Sequence, residues 1–234
     1  MDYHERLLGM ILDGTIRDRM SLQMAKMALS KEYGLERVPP NSETLAKADP
    51  AVLPIVERLL RRKPVRTLSG VAVVAVMTSP APCPHGKCSY CPGGVEIGSP
   101  QSYTGKEPAA RRALANDFDP FRQASSRIRQ LEAIGHPTDK IDLIIMGGTF
   151  TSRPIEYQTS FVQRCFDAFN GEGSANLEEA QIKNETSAHR CIGMTIETRP
   201  DVFDDPTAAF SMGLGATRVE LGVQILDDDI LQGV

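Results

Sequence analysis

The sequence lacks any apolar run long enough to cross a membrane. A transmembrane helix needs about 20 apolar residues, whereas the main β-branched run of this chain is confined to Gly70–Thr78. We expect no signal peptide, and the cysteines number five, an odd count. A secreted, disulfide-bonded protein is therefore disfavoured. We expect a cytoplasmic protein, in a reducing compartment, with no membrane partner.

Two nucleotide-binding signatures are also missing. The chain has neither a GxGxxG pattern nor a Walker lysine pattern, which argues against dinucleotide and nucleoside triphosphate sites. The net charge of −4 does not suit a uniformly basic nucleic-acid-binding protein. The charge is uneven, however, because residues 1–70 contain 12 Lys and Arg against 9 Asp and Glu, and the remainder contains 14 against 21. The net charge is thus +3 for residues 1–70 and −7 for the remainder, which is a weak indication of an anionic partner. A solvated helical surface would give the same charges.

Three cysteines within nine residues are the most informative feature that is present. Cys83, Cys88 and Cys91 follow the spacing C-x4-C-x2-C, with Pro92-Gly93-Gly94 directly after them. Three thiolates on one loop can hold an iron–sulfur cluster and leave one iron open for a substrate or cofactor. The same thiolates with His85 could instead form a Cys3His zinc site. Spacing alone leaves these two metal interpretations open.

The hydrophobic pattern predicts a helical region followed by β/α units. Apolar residues recur at helical spacing through the first 60 or so residues, and a basic linker then runs from Arg61 to Arg66. Four segments are predicted as strands: Val71–Met77, Ile141–Met146, Cys191–Glu197 and Thr217–Val223. Helices are predicted between and after them: Pro120–Ile134, Ile155–Asn170, Leu177–Ser187 and Pro206–Met212. Alternation of this kind predicts a parallel sheet, and the first strand is expected to be buried on both faces.

Residues that directly follow these strands are candidates for one site, because a β/α barrel gathers its functional groups at the carboxyl ends of its strands. The candidates are the cysteine loop, Gly147-Gly148-Thr149, Glu197, Arg199 and Gln224. Ordinary structural explanations stay open for each. The glycine pair suits a tight turn, Glu197 and Arg199 suit a surface ion pair, and Gln224 suits a turn cap. Tyr90 could pack on a cofactor ring or simply cover the metal centre.

Several motifs resemble the catalytic-subunit family of Elongator in its archaeal form, whose members are radical S-adenosylmethionine (SAM) enzymes that modify tRNA. The matching segments are Pro40–Glu43, Arg66–Met77, Cys83–Gly94, Gln101–Pro108, Met146–Phe150, Ile196–Asp201 and Glu220–Gln224. This combination is far more specific than the cysteine spacing by itself. The resemblance therefore favours a 4Fe–4S cluster over zinc.

The resemblance implies a role for each candidate residue. Cys83, Cys88 and Cys91 would ligate the cluster, while Tyr90, Gly147, Gly148, Thr149, Glu197, Arg199 and Gln224 would bind SAM. Lys140 would lie near acetyl-CoA, the carbon donor, and Arg61, Arg62, Lys63 and Arg66 would contact tRNA phosphates. The implied product is 5-carboxymethyluridine at the wobble position of tRNA.

The implied architecture is a truncated (β/α) radical-SAM barrel preceded by a small helical domain. We expect residues 1–66 to form the tRNA-binding helical region and residues 67–234 to form the first four barrel strands, without the family's acetyltransferase domain. The chain is expected to be an incomplete fragment, inactive by itself and prone to self-association through an exposed strand edge. The alternative hypothesis is a tRNA-binding module, stabilised by a cluster or by zinc, that performs no catalysis.

Overall fold

The computed structural model describes residues 1–231, and these divide into two compact units. The helical unit comprises Met1–Gly70 together with Arg129–Pro137. The sheet unit comprises Val71–Ile128 and the described residues from Thr138 onwards. The division expected at residue 66 assigned residues 129–137 to the barrel, whereas the structure groups them with the helical unit.

The helical unit has four helices before residue 61. They are α1 (Tyr3–Leu12), α2 (Arg19–Glu32), α3 (Asn41–Leu45) and α4 (Leu53–Leu60). α1 begins with a capping box, in which the Asp2 carboxylate accepts the Glu5 N–H and the Glu5 carboxylate accepts the Asp2 N–H. Apolar side chains at helical spacing, including Leu7 and Ile11, pack into the core of this unit. The helical prediction for this region is confirmed.

The sheet unit contains four parallel strands, β1 (Ala72–Met77), β2 (Lys140–Met146), β3 (Arg190–Thr198) and β4 (Arg218–Leu221). Their order in the sheet is β1-β2-β3-β4, so strands that follow one another in the chain are neighbours. This is the arrangement of successive β/α units in a barrel. The predicted α/β fold with a parallel sheet is confirmed.

Helices precede, connect and follow these strands in the chain. They are α5 (Pro108–Leu114), α6 (Pro120–Glu132), α7 (Ile155–Asn170), α8 (Leu177–Asn184), α9 (Asp205–Gly213) and α10 (Asp228–Leu231). The core of the unit joins Val74, Leu143 and Ile196 from the strands to Phe161 and Cys165 of α7. α5 was not predicted. Of the helix expected after the fourth strand, residues 228–231 are described and residues 232–234 lie outside the described chain.

The first strand is not buried on both faces, and that expectation was wrong. Val74 and Val76 are fully buried against the helices, but Val73 on the other face is 40% exposed. Ile192 of β3 is 46% exposed. The reason is that helices cover only one face of this part of the sheet completely. In the described part of the chain, no helix is both long and apolar enough to cross a membrane.

Candidate functional site

A pocket opens in the sheet unit where the four strands end. Parallel neighbouring strands end at the same edge of a sheet, so the loops that follow them meet there. The lining residues are Cys83, His85, Gly86, Cys88, Tyr90, Cys91, Gln101, Ser102, Gly148, Thr149, Arg199, Gly222 and Gln224. Eight residues that the sequence predicted for the cluster or for SAM are therefore brought together.

The Cys88 thiol lies between two nitrogen-bearing side chains. His85 Nε2 and Arg199 Nη1 are each 3.2 Å from Cys88 Sγ. Arg199 is oriented by Asp201, whose Oδ1 accepts from Arg199 Nε at 2.8 Å. The surface ion pair considered between Glu197 and Arg199 is therefore not formed, because the arginine pairs with Asp201 and faces the thiol. The Cys88 sulfur is therefore in direct contact with a guanidinium group.

The other two thiols contact polar groups of neighbouring loops. Cys91 Sγ accepts the Ser102 N–H at 3.2 Å, and Cys83 Sγ lies 3.4 Å from Thr149 Oγ1. Burial raises the pKa of the Cys83 thiol, partly offset by its contact with Thr149. The three thiols are half-buried and free, so each remains available to a metal centre.

The arrangement of the three thiols can be compared with the needs of a single metal ion and with those of a cluster. Among the described residues, no group of three or more His, Cys, Asp or Glu side chains is placed to hold one metal ion. A Cys3His zinc site, in which all four ligands converge on one point, therefore gains no support from the geometry. A 4Fe–4S cluster differs because each thiolate binds a different iron at its own corner of the cube. Three thiols lining one pocket fit that group and leave one corner unligated by cysteine.

The glycine pair after β2 has two distinct tasks. Gly147 has a φ of +120°, and a Cβ there would lie 2.3 Å from Thr78 Oγ1, so only glycine permits this close packing of the β1 and β2 ends. Gly148, at φ +77°, lines the pocket with Thr149. The tight-turn explanation thus holds for Gly147, while Gly148 also exposes backbone to the pocket.

A second cavity of about 400 Å³ adjoins the first and is lined by two carboxylates, the half-buried Glu197 and the exposed Glu220. The two cavities share lining residues that include Ser102, Gly148 and Arg199. Glu197 lies in the second cavity, and its Oε2 accepts the Tyr103 hydroxyl at 2.6 Å. Burial raises the pKa of Glu197; the bond from Tyr103 lowers it, and the nearby charge of Glu220 raises it further. Burial and the Glu197 contact also raise the pKa of the Tyr103 hydroxyl, so it stays protonated and donates.

The segment Gln101–Gly105, here called the bridging segment, was missed as a contributor to the site. Its Ser102 donates to Cys91, and its Tyr103 donates to Glu197 of β3. It packs so closely on the cysteine loop that a Cβ at Gly93 would lie 2.0 Å from the Tyr103 carbonyl oxygen. The bridging segment thereby connects the cysteine loop to the end of β3. The motif Gln101–Pro108 was the available signal, but nothing in its composition identifies a partner.

Gln224 lies three residues beyond the end of β4, in a left-handed conformation with φ +68°. This conformation is uncommon outside glycine and ends the strand earlier than the predicted Val223. The side chain nevertheless lies among the lining residues of both cavities. The left-handed turn at Gln224 therefore does not prevent its side chain from lining the pocket.

The other predicted residues are not among those that line this pocket. Lys140 begins β2, and its ammonium is exposed and pairs with Asp139 at 2.9 Å. Six strand residues separate it from the carboxyl end, a distance of about 20 Å at about 3.3 Å per residue. In the helical unit, Arg61 pairs with Glu57 at 3.1 Å, whereas the other three predicted tRNA contacts are exposed: Arg62, Lys63 and Arg66.

Known proteins share both the sequence and the fold. A family profile for the ELP3 N-terminal domain matches residues 3–68. The tRNA uridine(34) acetyltransferase of Methanocaldococcus infernus is 53% identical over 97% of this chain and 43% of its own length. Elongator complex protein 3 of Drosophila melanogaster is 42% identical over 90% of this chain and 40% of its own length. Over nearly its whole length, the chain is similar to members of the Elongator complex protein 3 family.

A solved structure of this family supports the same assignment. It is the archaeal Methanocaldococcus infernus Elp3 with an N-terminus deletion (1-46), which matches with a TM-score of 0.55 and 48% identity over 70% of this chain and 31% of that one. The chain thus spans less than half the length of the relatives it matches. The family resemblance predicted from the sequence motifs is confirmed.

Proposed function

We propose that this chain provides the cluster- and SAM-binding part of an enzyme that forms 5-carboxymethyluridine at the wobble uridine of tRNA, with acetyl-CoA as carbon donor. The observation that carries the proposal is the convergence of three cysteine thiols, Arg199 and Gln224 on one strand-end pocket. The names of the relatives, which act on tRNA uridine(34) as acetyltransferases, support the choice of substrate and donor.

The cysteine loop would hold a 4Fe–4S cluster through Cys83, Cys88 and Cys91. Such a cluster, when bound together with SAM, supplies the single electron that cleaves SAM and generates a carbon radical able to abstract hydrogen. Arg199 and the Ser102 N–H would lie beside two of the ligating sulfurs and offset their negative charge.

The remaining pocket residues would orient SAM. Gly148 gives close access to backbone, Arg199 offers a cation to a carboxylate, and Gln224 offers an amide to hydroxyl groups. Glu197, fixed by Tyr103, would accept hydrogen bonds from the amino or hydroxyl groups of the ligand. The face of Tyr90, which is exposed beside the thiols, would cover the bound adenosyl group.

Lys140 would serve acetyl-CoA at a different place. Its exposed ammonium suits a phosphate group of coenzyme A, and it lies at the amino end of β2 rather than at the pocket. In the helical unit, Arg61, Arg62, Lys63 and Arg66 would contact tRNA phosphates. Because tRNA is the proposed substrate, we also propose a cytoplasmic location.

Self-association is proposed for the chain on its own. Apolar side chains on and after β4 are exposed, among them Leu221, Val223 and Leu226, the last at 92%. Exposed strand edges beside apolar groups favour association. Sedimentation over a concentration series tests this, and a single monomeric species throughout would contradict it.

The test of the cofactor assignment is anaerobic reconstitution with iron and sulfide. We expect about four irons per chain and release of 5′-deoxyadenosine from SAM when a reductant is added. Alanine at Cys83, Cys88 or Cys91 should remove most of the iron, whereas Cys191→Ala should retain it, because Cys191 lies at the amino end of β3. Stoichiometric zinc without iron uptake would refute the assignment.

A further inference from the structure

The helical unit contains a lysine whose ammonium is buried without a counter-ion. Lys26, on α2, is only 7% exposed. Its Nζ donates to Asn41 Oδ1 at 2.7 Å, and the Asn41 amide is fixed because its Nδ2 donates to the Leu60 carbonyl at 2.8 Å. Within residues 1–231, no carboxylate oxygen forms an ion pair with this ammonium at 4.0 Å or less.

This arrangement is costly unless an anion completes it. An ammonium group has three donors, and Asn41 accepts from only one of them. Burial lowers the pKa of Lys26, and the negative charge of Glu43 raises it only in part. Glu43 is itself engaged by Arg37 at 3.4 Å and His4 at 4.0 Å. A buried charge that lacks a paired counter-ion opposes folding.

A cavity of about 240 Å³ lies next to the ammonium. Its lining includes Lys26, Asn41, Ser42 and Arg62, and it contains no carboxylate. The volume equals roughly eight water molecules at about 30 Å³ each, which is ample for a tetrahedral oxyanion. Arg62 is exposed at the surface, and its main-chain position is fixed by a bond from its N–H to the Ile134 carbonyl at 3.2 Å. The rest of the lining is Pro40, Leu60 and Ile134, so two cationic residues of different burial line one cavity of mixed polar and apolar character.

We propose that this cavity is a phosphate site, in which Lys26 supplies a buried positive charge and Arg62 closes the entrance. Because the chain is proposed to act on tRNA, a phosphodiester of the tRNA backbone is the expected occupant, and the identity of this occupant rests on the proposed function. Free inorganic phosphate offers the same chemistry and is the other source to be tested. Lys26 would thus join the tRNA-binding residues despite its burial.

The first experiment uses inorganic phosphate and does not depend on tRNA. The side-chain amide signal of Asn41, followed by NMR, should shift and saturate as phosphate is added, with chloride at matched ionic strength as the reference. The shift should be lost in Lys26→Gln, which keeps a donor for Asn41 but removes the charge. Absence of a saturable shift in the parent chain would overturn the phosphate site.

The second experiment measures tRNA affinity over a range of salt concentrations. Loss of one phosphate contact should make the slope of log K against log salt shallower by about 0.7–0.9. We expect this for Lys26→Gln and for Arg62→Gln, which changes an exposed residue and tests the site even if Lys26→Gln folds poorly. Lys31→Gln, on the exposed side of the same helix, is the matched control and should leave the slope unchanged.

The two experiments separate the possible failures. Phosphate binding together with shallower slopes supports the site with tRNA as the occupant. Phosphate binding with unchanged slopes supports the site and assigns it to free phosphate, which overturns the tRNA contact. If the parent chain binds phosphate but no tRNA, the proposed function fails and the anion site stands. If Lys31→Gln changes the slope as much as both other variants, net charge explains the effect and the tRNA contact is refuted.

Discussion

On the β1–β2 side of the strand-end pocket, hydrogen bonds to main-chain groups and close packing hold the backbone, whereas on the β3–β4 side two carboxylates are partners in the sheet. On the first side, Gln123 of α6 bonds to both main-chain groups of Met77, accepting from its N–H and donating to its carbonyl, each at 2.9 Å. Arg112 donates to the Ala75 carbonyl at 2.6 Å on the same edge of β1. These bonds satisfy groups that an edge strand would otherwise expose.

On the second side, Glu197 of β3 and Glu220 of β4 are direct partners in the register of the sheet. Like charges opposite each other destabilise a sheet, and here the Tyr103 hydroxyl compensates from the bridging segment. β4 is also the exposed edge, with Arg218, Glu220 and Leu221 open to solvent. The comparison indicates that packing holds the backbone in place on the β1–β2 side of the pocket. On the β3–β4 side, interactions between charged and polar side chains determine their positions.

The largest effect is expected from Gln123→Ala on the packed side. Gln123 is fully buried, so its loss leaves the N–H and the carbonyl of Met77 without partners in an apolar environment. Each unsatisfied group costs about 1–3 kcal/mol, and we expect the free energy of unfolding to fall by about 2–4 kcal/mol. Urea denaturation measures this.

Gln163→Ala is the matched control for that prediction. Gln163 makes one bond, to the Ser174 carbonyl, on a half-buried surface, so a loss of about 1 kcal/mol is expected. Equal losses in the two variants would show that the edge of β1 does not depend on Gln123.

A smaller effect is expected from Tyr103→Phe on the charged side. The substitution keeps the ring but removes the donor to Glu197, and hydrogen bonds to charged groups contribute about 1.5–3 kcal/mol. The pKa of Glu197 should rise further, because the bond from Tyr103 lowers it. Denaturation gives the stability, and carboxyl NMR signals followed over pH give the direction of the pKa change.

Tyr33→Phe serves as the control for Tyr103→Phe. Tyr33 donates to the Met1 carbonyl at 3.3 Å on an exposed surface, so little stability should be lost. If Tyr103→Phe is equally harmless and leaves the Glu197 titration unchanged, the bridging segment does not position this carboxylate.

Much of this comparison follows from the sequence, and part of it does not. The period of apolar residues predicted the four strands and placed the helix Ile155–Asn170 at its observed bounds. The order of strands and loops then brought the cysteines, Gly148 and Gln224 to one edge. These predictions succeeded because they depend on local periodicity and on the topology of parallel β/α units.

Contacts between distant side chains could not be predicted in the same way. Tyr103 and Glu197 are 94 residues apart, and no periodicity relates a tyrosine in a loop to a carboxylate at a strand end. Lys26 likewise has the spacing of an ordinary helix residue, and its hydrogen bond is to Asn41, the first residue of α3. Gln123 lies within a predicted helix, but its hydrogen bonds to the main chain of Met77 require β1 to be an edge strand.

The smallest effect is expected from Glu220→Gln, which removes the like charge opposite Glu197. Burial is the main reason that the pKa of Glu197 lies above its ordinary value of 4.5, and Glu220 adds to this shift. A carboxyl group with a raised pKa binds its proton more tightly in the folded state, so its contribution to stability is present at low pH and is lost as pH rises through the folded pKa. With Glu220 removed, the pKa of Glu197 should fall, and less stability should be lost as the pH rises above the ordinary value of 4.5. Unfolding measured at rising pH in the parent chain and in Glu220→Gln tests the point. Glu178→Gln on α8 is the control, because it removes a carboxylate that lines neither cavity. Identical pH profiles for the parent and Glu220→Gln would mean that the carboxylate side of the pocket is governed by burial alone.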